Sequence, residues 1–380
     1  MELIYKTIDE LVVRIDERNM TNEDIPLVGL SIDKCFIPSV ANTIGTDLSK
    51  YKLIRKNDFA VSLMQVSRDS KIPIACLKEH DIAIMSPAYS IFRVKDEKVI
   101  LPEYLEMWFQ RSEFDREAAF IAIGGVRGSM PWDEFAMMKV VVPNIEKQKN
   151  IVRAYRTIND RIKLKKKIND NLEATLTATF KKMFLENQSV IYTSKKLHEL
   201  TKTIDNRGKT PPNDSIETPY PLIEIAALRT EGRIATYRNC VKFVSEKIYS
   251  TWFRSGHPKQ KDILMSTVGS LAELKLFWGD KGSIAQNIVA FRCHDEIFSM
   301  YLYQYLLRKQ HELSAYEIGS VQASIKVSQV VEYDIDIPPK ELLIKFDKVA
   351  TQLTAHIFAN EAEIDVCHKL CEVILQQLSS

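Results

Sequence analysis

The sequence predicts an α+β protein: two mixed α/β domains in pseudo-two-fold tandem repeat, separated by two long antiparallel coiled-coil helices. Three observations predict it. Residues 145–186 carry a heptad seam with no Pro or Gly to break it. The C-terminal residues carry the same seam. Short motifs of the first 143 residues recur in the same order between residues 187 and 338. The boundaries that follow are 1–143 for the first domain, 144–186 for the central spacer helix, 187–338 for the second domain and 339–380 for the C-terminal spacer helix.

The helices are the clearest elements. Steps of four and three from Ile151 reach Tyr155, Ile158, Ile162, Lys165, Asn169, Leu172, Leu176, Thr179 and Met183, with mostly Lys, Arg, Asn and Asp between them. The same steps from Phe346 reach Ala350, Leu353, Ile357, Asn360, Ile364, Cys367, Cys371, Ile374 and Leu378. Every position is its central counterpart shifted by 195 residues, so the helices share one register. Lys165 and Asn360 interrupt the two seams at the same point, where a buried polar residue fixes register and orientation. Residues 145–187 have eleven Lys or Arg against five acids, and residues 340–380 have four against six. Opposite charge favours pairing of the two, although each exposed ion pair is worth little.

In the first domain, residues 25–30, 58–63, 72–76 and 89–94 read as strands by their apolar runs and alternation. Residues 103–120 read as one aromatic-rich helix, and Lys139-Val140-Val141-Val142 as a closing strand stopped by Pro143. Between them, Gly124-Gly125-Val126-Arg127-Gly128 is a shaped loop. The second domain repeats the plan. Pro221-Leu222-Ile223 matches Pro26-Leu27-Val28, and Lys261-Asp262-Ile263-Leu264-Met265-Ser266 matches Asn57-Asp58-Phe59-Ala60-Val61-Ser62. Val289-Ala290-Phe291-Arg292, Tyr301-Leu302, Ile318-Gly319-Ser320-Val321 and Ile337-Pro338 also have first-half counterparts. The period is too long for a solenoid.

Composition bounds the function less than the repeat does. A net charge of +2 places any nucleic-acid contact in local patches. Six cysteines without CxxC or metal-ligand spacing imply a reducing, cytoplasmic setting. No stretch approaches eighteen apolar residues. The nucleotide-binding P-loop, HExxH and GxSxG signatures are absent, and the seven histidines are scattered.

Two chemistries remain open from the residues. Asp58 with Asp69 and Lys71, and Asp262 with Glu273 and Lys275, share an acid, acid-x-Lys spacing used by Mg²⁺-dependent nucleases; the plain alternative is two charged surface hairpins. The loops suggest DNA contact, because Ser, Thr, Gln, Arg and Lys donate to phosphates and Arg or Gln can read base edges. The candidates are Gln65, Ser67, Arg68, Lys71, Arg127 and Ser129 in the first domain. In the second they are Arg207, Lys209, Thr210, Thr267, Ser270, Lys275, Gln322, Ser324 and Lys326. Solvated turns are the plain alternative for each. A coiled-coil adaptor that never touches DNA is a third reading.

The arrangement resembles the specificity subunit of Type I restriction–modification systems over essentially the whole chain. The residues that carry the resemblance are Gly208-Lys209-Thr210-Pro211-Pro212, Pro221-Leu222-Ile223, Ile225-Ala226-Ala227-Leu228 with Gly232, Lys261-Asp262-Ile263-Leu264-Met265-Ser266 leading to Gly269-Ser270, and Ile337-Pro338-Pro339. The first half departs from the pattern: it lacks the glycine-lysine-threonine turn, and Arg68-Asp69-Ser70 stands in place of the glycine-serine pair. The resemblance implies two target recognition domains, each reading one half of a split double-stranded DNA site. It implies a chain that is not catalytic and holds no cofactor. Its partners would be two modification subunits, which methylate adenine with S-adenosylmethionine, and restriction subunits using ATP and Mg²⁺.

Overall fold

The computed structural model describes residues 4–20, 25–39, 47–64, 66–124, 128–318 and 323–379. The chain divides into two units, Met1–Arg161 with Cys367–Ser380, and Ile162–Val366. The long helices Ile145–Phe180 and Lys340–Gln376 contribute to both.

The first unit is built on a four-stranded antiparallel sheet in the order Val12–Ile15, Ser90–Val94, Phe59–Val61, Ile74–Cys76. All but the edge strand Val12–Ile15, where Val13 and Arg14 are exposed, are buried on both faces, so they read as apolar runs. Phe59 and Phe92 pair across the ladder and stack at 5.2 Å. Phe109, Phe114 and Phe135 complete an aromatic core. The expected single helix over 103–120 is two, Pro102–Phe109 and Ser112–Ile121. Five residues apart on one continuous helix, Phe109 and Phe114 would point about 140° apart. The break at Gln110 and Arg111 lets both rings enter one core, 5.0 Å apart. The N-terminal strand Tyr5–Thr7, which has no clear sequence signal, pairs with Lys139–Val141 and closes the unit. Thr7 and Glu10 form a reciprocal cap on the short helix that follows.

The second unit repeats the four-stranded sheet and the closing strand pair. Its sheet runs Thr201–Ile204, Ile288–Cys293, Ile263–Ser266, Leu274–Leu276, and Thr193–Lys196 pairs with Asp334–Ile337. Individual bonds repeat as well. Ile8 N–H donates to the Met138 carbonyl, and Leu197 N–H to that of Tyr333, both at 3.0 Å. The Tyr104 hydroxyl reaches the Val141 carbonyl, and the Tyr301 hydroxyl that of Asp336. Asn57 and Lys261 both have a left-handed backbone, with φ of 69° and 71°.

The long helices run antiparallel in each unit. In the first, Ile151 and Tyr155 share a core with Ile374 and Leu378. In the second, Leu172, Leu176 and Phe180 share one with Phe346, Leu353 and Ile357. The ten heptad positions on each helix are all buried or half-buried. Phe180 and Phe184 also pack at 5.6 and 5.4 Å from Phe346, beyond a strict 3.5-residue repeat. A straight helix drifts from that repeat, and a π-turn at Lys181–Leu185 shifts the face further. The two polar interruptions meet. Lys165 Nζ donates to Asn360 Oδ1 at 2.9 Å and pairs with Glu363 at 2.8 Å, Asn360 donates to Asn169, and Asn169 donates to Glu361. Among the described residues, no helix is long and apolar enough to cross a membrane.

Candidate nucleic-acid interface

The antiparallel ladder decides which loops come together. Ile204 lies opposite Ala290, and Ser266 opposite Ile288. The segments after Thr201–Ile204 and Ile263–Ser266, and the turn before Ile288–Cys293, therefore leave the second unit's sheet at one end. The segment at 323–325 joins them: Ile325 N–H donates to the Thr267 carbonyl at 2.8 Å, and Val268 bridges Ser324. In the first unit the corresponding bond is Met130 N–H to the Leu63 carbonyl, also at 2.8 Å. It places Gly128 against Ser67. Gly128 has φ +74°, and a Cβ there would lie 2.4 Å from Ser67 Oγ.

The candidate residues divide between this surface and the interior. Ser67 and Ser129 are half-buried, whereas Arg68 and Lys71 are exposed; Arg68 pairs with Asp69 at 2.7 Å. In the second unit Lys209, Thr210 and Lys326 are exposed, and Arg207, Ser270 and Ser324 are half-buried. Thr210 Oγ1 accepts a 2.7 Å bond from Gln286, whose own backbone is left-handed at φ 57°. Gln65, Arg127 and Gln322 lie outside the described residues. Two expectations are corrected. Thr267 is fully buried, and its hydroxyl donates to the Asn287 carbonyl at 3.2 Å. Lys275 is buried with its ammonium on the Thr230 and Gly232 carbonyls, and burial pushes its pKa down. Both side chains brace the fold and cannot reach a ligand. An alternating strand does not reveal which of its polar residues faces inward when both faces are covered.

The acidic motifs are structural. Asp58 is fully buried and takes a two-point bond from Arg93 at 2.5 and 3.0 Å, with Arg55 N–H at 2.9 Å. Asp262 is held by Arg292 at 2.6 to 3.1 Å and by Lys259 N–H at 2.8 Å; burial pushes its carboxyl up from the usual range. A carboxylate whose lone pairs face a guanidinium and a peptide N–H has no free edge for a cation. Among the described residues, no group of three or more His, Cys, Asp or Glu is placed to hold a metal ion.

The sequence reading missed a corner that occurs twice. Immediately after the first sheet strand of each unit, an aspartate pairs with the arginine two residues on. Arg207 Nε and Nη2 bond Asp205 at 3.0 and 2.7 Å, and Arg18 Nη2 bonds Asp16 at 3.2 Å. The signal was present as Ile15-Asp16-Glu17-Arg18 and Ile204-Asp205-Asn206-Arg207.

Two units with one order of sheet strands, each with polar loop tips at one sheet end and both with parts of the two long helices, form a tandem repeat. Residues 189–357 match the family model of the Type I restriction modification DNA specificity domain. The fold is similar to the crystal structure of a Type I restriction–modification system S subunit from M. genitalium, with a TM-score of 0.64 at 12% identity over 100% of this chain and 96% of that one. The HsdS subunit from Thermoanaerobacter tengcongensis matches with a TM-score of 0.35 at 16% identity, over 99% of this chain and 96% of that one. A chain from a structure of Type I R-M complex assembly and conformational transition matches at 0.44 and 16%, over 99% and 97%. No curated protein matches the sequence. The match to the DNA specificity domain thus falls on the second unit and part of the C-terminal helix, and the whole chain has a fold like that of the M. genitalium S subunit.

Proposed function

We propose that each globular unit reads one half of a bipartite double-stranded DNA target and that the helix pair sets the spacing between the halves. The observation that supports this most directly is the repeated sheet end: equivalent loops meet there in both units, while their residues differ. Different loop residues on one scaffold read different bases without altering the scaffold. Helix length then matters in steps, because one added turn is about 5.4 Å, more than one base pair at about 3.4 Å.

On this reading the chain is not catalytic and works in the cytoplasm with two modification subunits. In a restricting complex it also carries ATP-driven translocase/nuclease subunits. S-adenosylmethionine, ATP and Mg²⁺ belong to those partners. Ser67, Arg68, Lys71, Ser129, Arg207, Lys209, Thr210, Ser270, Ser324 and Lys326 supply contacts from this chain. With a net charge of only +2, the chain alone binds DNA weakly and salt-sensitively, and its partners supply further phosphate contacts.

The test is single-base methylation mapping in a host carrying the chain and its modification partner, with and without the chain. One split adenine-methylated motif that disappears on deletion supports the proposal, and exchanging residues 187–338 for those of another member should change one half only. No change in methylation on deletion would refute it.

A further inference from the structure

The Asp-x-Arg corner recurs in both units with different bonds: Asp205 takes Nε and Nη2 of Arg207, whereas Asp16 takes Nη2 of Arg18 and the Lys50 carbonyl takes Nη1. It follows the last residue of equivalent strands, Ile15 and Ile204. In each unit the next segment holds it in place. Leu53 N–H donates to the Glu17 carbonyl at 2.9 Å, and Arg18 Nη1 donates to the Lys50 carbonyl at 2.8 Å. In the second unit, Ser255 Oγ donates to the Asp205 carbonyl at 2.6 Å, and the buried Asn206 side chain donates to the Gly256 carbonyl at 2.8 Å. The arginines remain reachable, with side chains 39% exposed for Arg18 and 28% for Arg207.

The electrostatics separate two uses of such an arginine. A phosphate would approach a guanidinium whose charge is already offset by a neighbouring carboxylate, and that carboxylate would repel it. A base edge is neutral, and guanine offers two acceptors, O6 and N7, that match two parallel N–H groups. In the second unit Asp205 occupies the Nε and Nη2 side of the fork, and the one further contact is a long 3.5 Å approach of Nη1 to Thr267. The terminal edge of the guanidinium is left for a pair of acceptors, and the plane is set before binding, which reduces the ordering cost.

Resting on the bipartite reading above, we infer that Arg207 is a base-reading residue for one half of the target, directed at a guanine by the aspartate two positions before it. Asp205 is a positioning residue, and Arg18, whose Nη1 and Nη2 are taken by the Lys50 carbonyl and Asp16, is not assigned this role. Lysine keeps the charge but cannot make the two-point contact.

The experiment maps methylation for wild type, Arg207→Lys and Asp205→Asn, with the modification partner present. Arg207→Lys is expected to relax one guanine position in its own half, with discrimination there falling roughly 5- to 150-fold, while the other half is read as before. The unchanged half shows that the variant folds and assembles. Asp205→Asn relaxes the same position as Arg207→Lys. In binding assays with the purified complex, 7-deazaguanine at that position weakens wild type and leaves Arg207→Lys unaffected. An unchanged motif overturns the inference. So does uniform weakening over all duplexes with a shallower salt dependence, which marks a phosphate contact. A variant that methylates nothing is judged by duplex binding, where equal loss on all sequences also overturns it. A wild type without any split motif refutes the bipartite reading itself, before the variants are compared.

Discussion

Arg233 ties the second domain to both long helices, and its removal should cost more than that of any exposed ion pair. It is 2% exposed. Its Nε and backbone N–H both bond Glu173 on the central helix at 2.9 Å. Nη1 reaches Thr354 on the C-terminal helix at 3.3 Å, and Nη2 reaches Gln304 at 3.2 Å. The guanidinium also lies 5.4 Å from the Tyr303 ring centre. Removing one partner of a buried pair costs about 3–5 kcal/mol. Glu173 is 25% exposed, so water can partly rehydrate it in the variant, which places Arg233→Ala near the lower end, at about 3 kcal/mol. With a urea m-value of about 2.5 kcal/mol/M, the second unit's transition should fall by about 1.2 M. Urea unfolding followed by tryptophan fluorescence reports this through buried Trp278. Pairing Arg233→Met with Glu173→Leu should recover most of the loss, since apolar replacement of both partners is often neutral. A shift below about 0.4 M in Arg233→Ala, or a double variant worse than the single, would refute the view that one buried ion pair locks domain to helices.

Four further outcomes are expected. Asn360→Leu should destabilise by about 1 kcal/mol, since Lys165 and Asn169 each lose one partner but keep Glu363 and Glu361, whereas leucine at all three positions should melt no lower than wild type in calorimetry. Gly128→Ala combines a left-handed φ with a clash on Ser67, so it should cost about 1–2 kcal/mol by chemical denaturation and relax the first half of the methylated motif, with part of the loss recovered in Ser67→Ala. Asp262→Ala should leave no Mg²⁺-dependent cleavage to lose, yet lower stability by about 3 kcal/mol because Arg292 is stranded. Burial holds the pKa of His257, stacked 3.7 Å from Tyr249, below its ordinary value. The unfolded chain therefore binds the extra proton first, and stability is lost as pH falls below about 6.5, a component that His257→Gln should remove from unfolding curves compared at neutral and mildly acid pH.

The sequence by itself determined the repeat, the two helices and their shared register, because heptad periodicity is local and a 195-residue shift needs no coordinates. It also showed which loops carry polar residues. It did not distinguish Lys275 from Lys209, because exposure is decided by what the rest of the chain lays over a strand. Nor did it show that Asp58 and Asp262 belong to Arg93 and Arg292, thirty or more residues away on a neighbouring strand. The break at Gln110 and Arg111 follows from the need to place Phe109 and Phe114 in one core, a tertiary demand that overrides helix periodicity. Only the tertiary structure shows that the segments around 63 and 130 meet in the first unit, and those around 267 and 325 in the second. Antiparallel pairing converts distance along the chain into neighbourhood in space, and that step brings scattered polar loops to one end of each sheet.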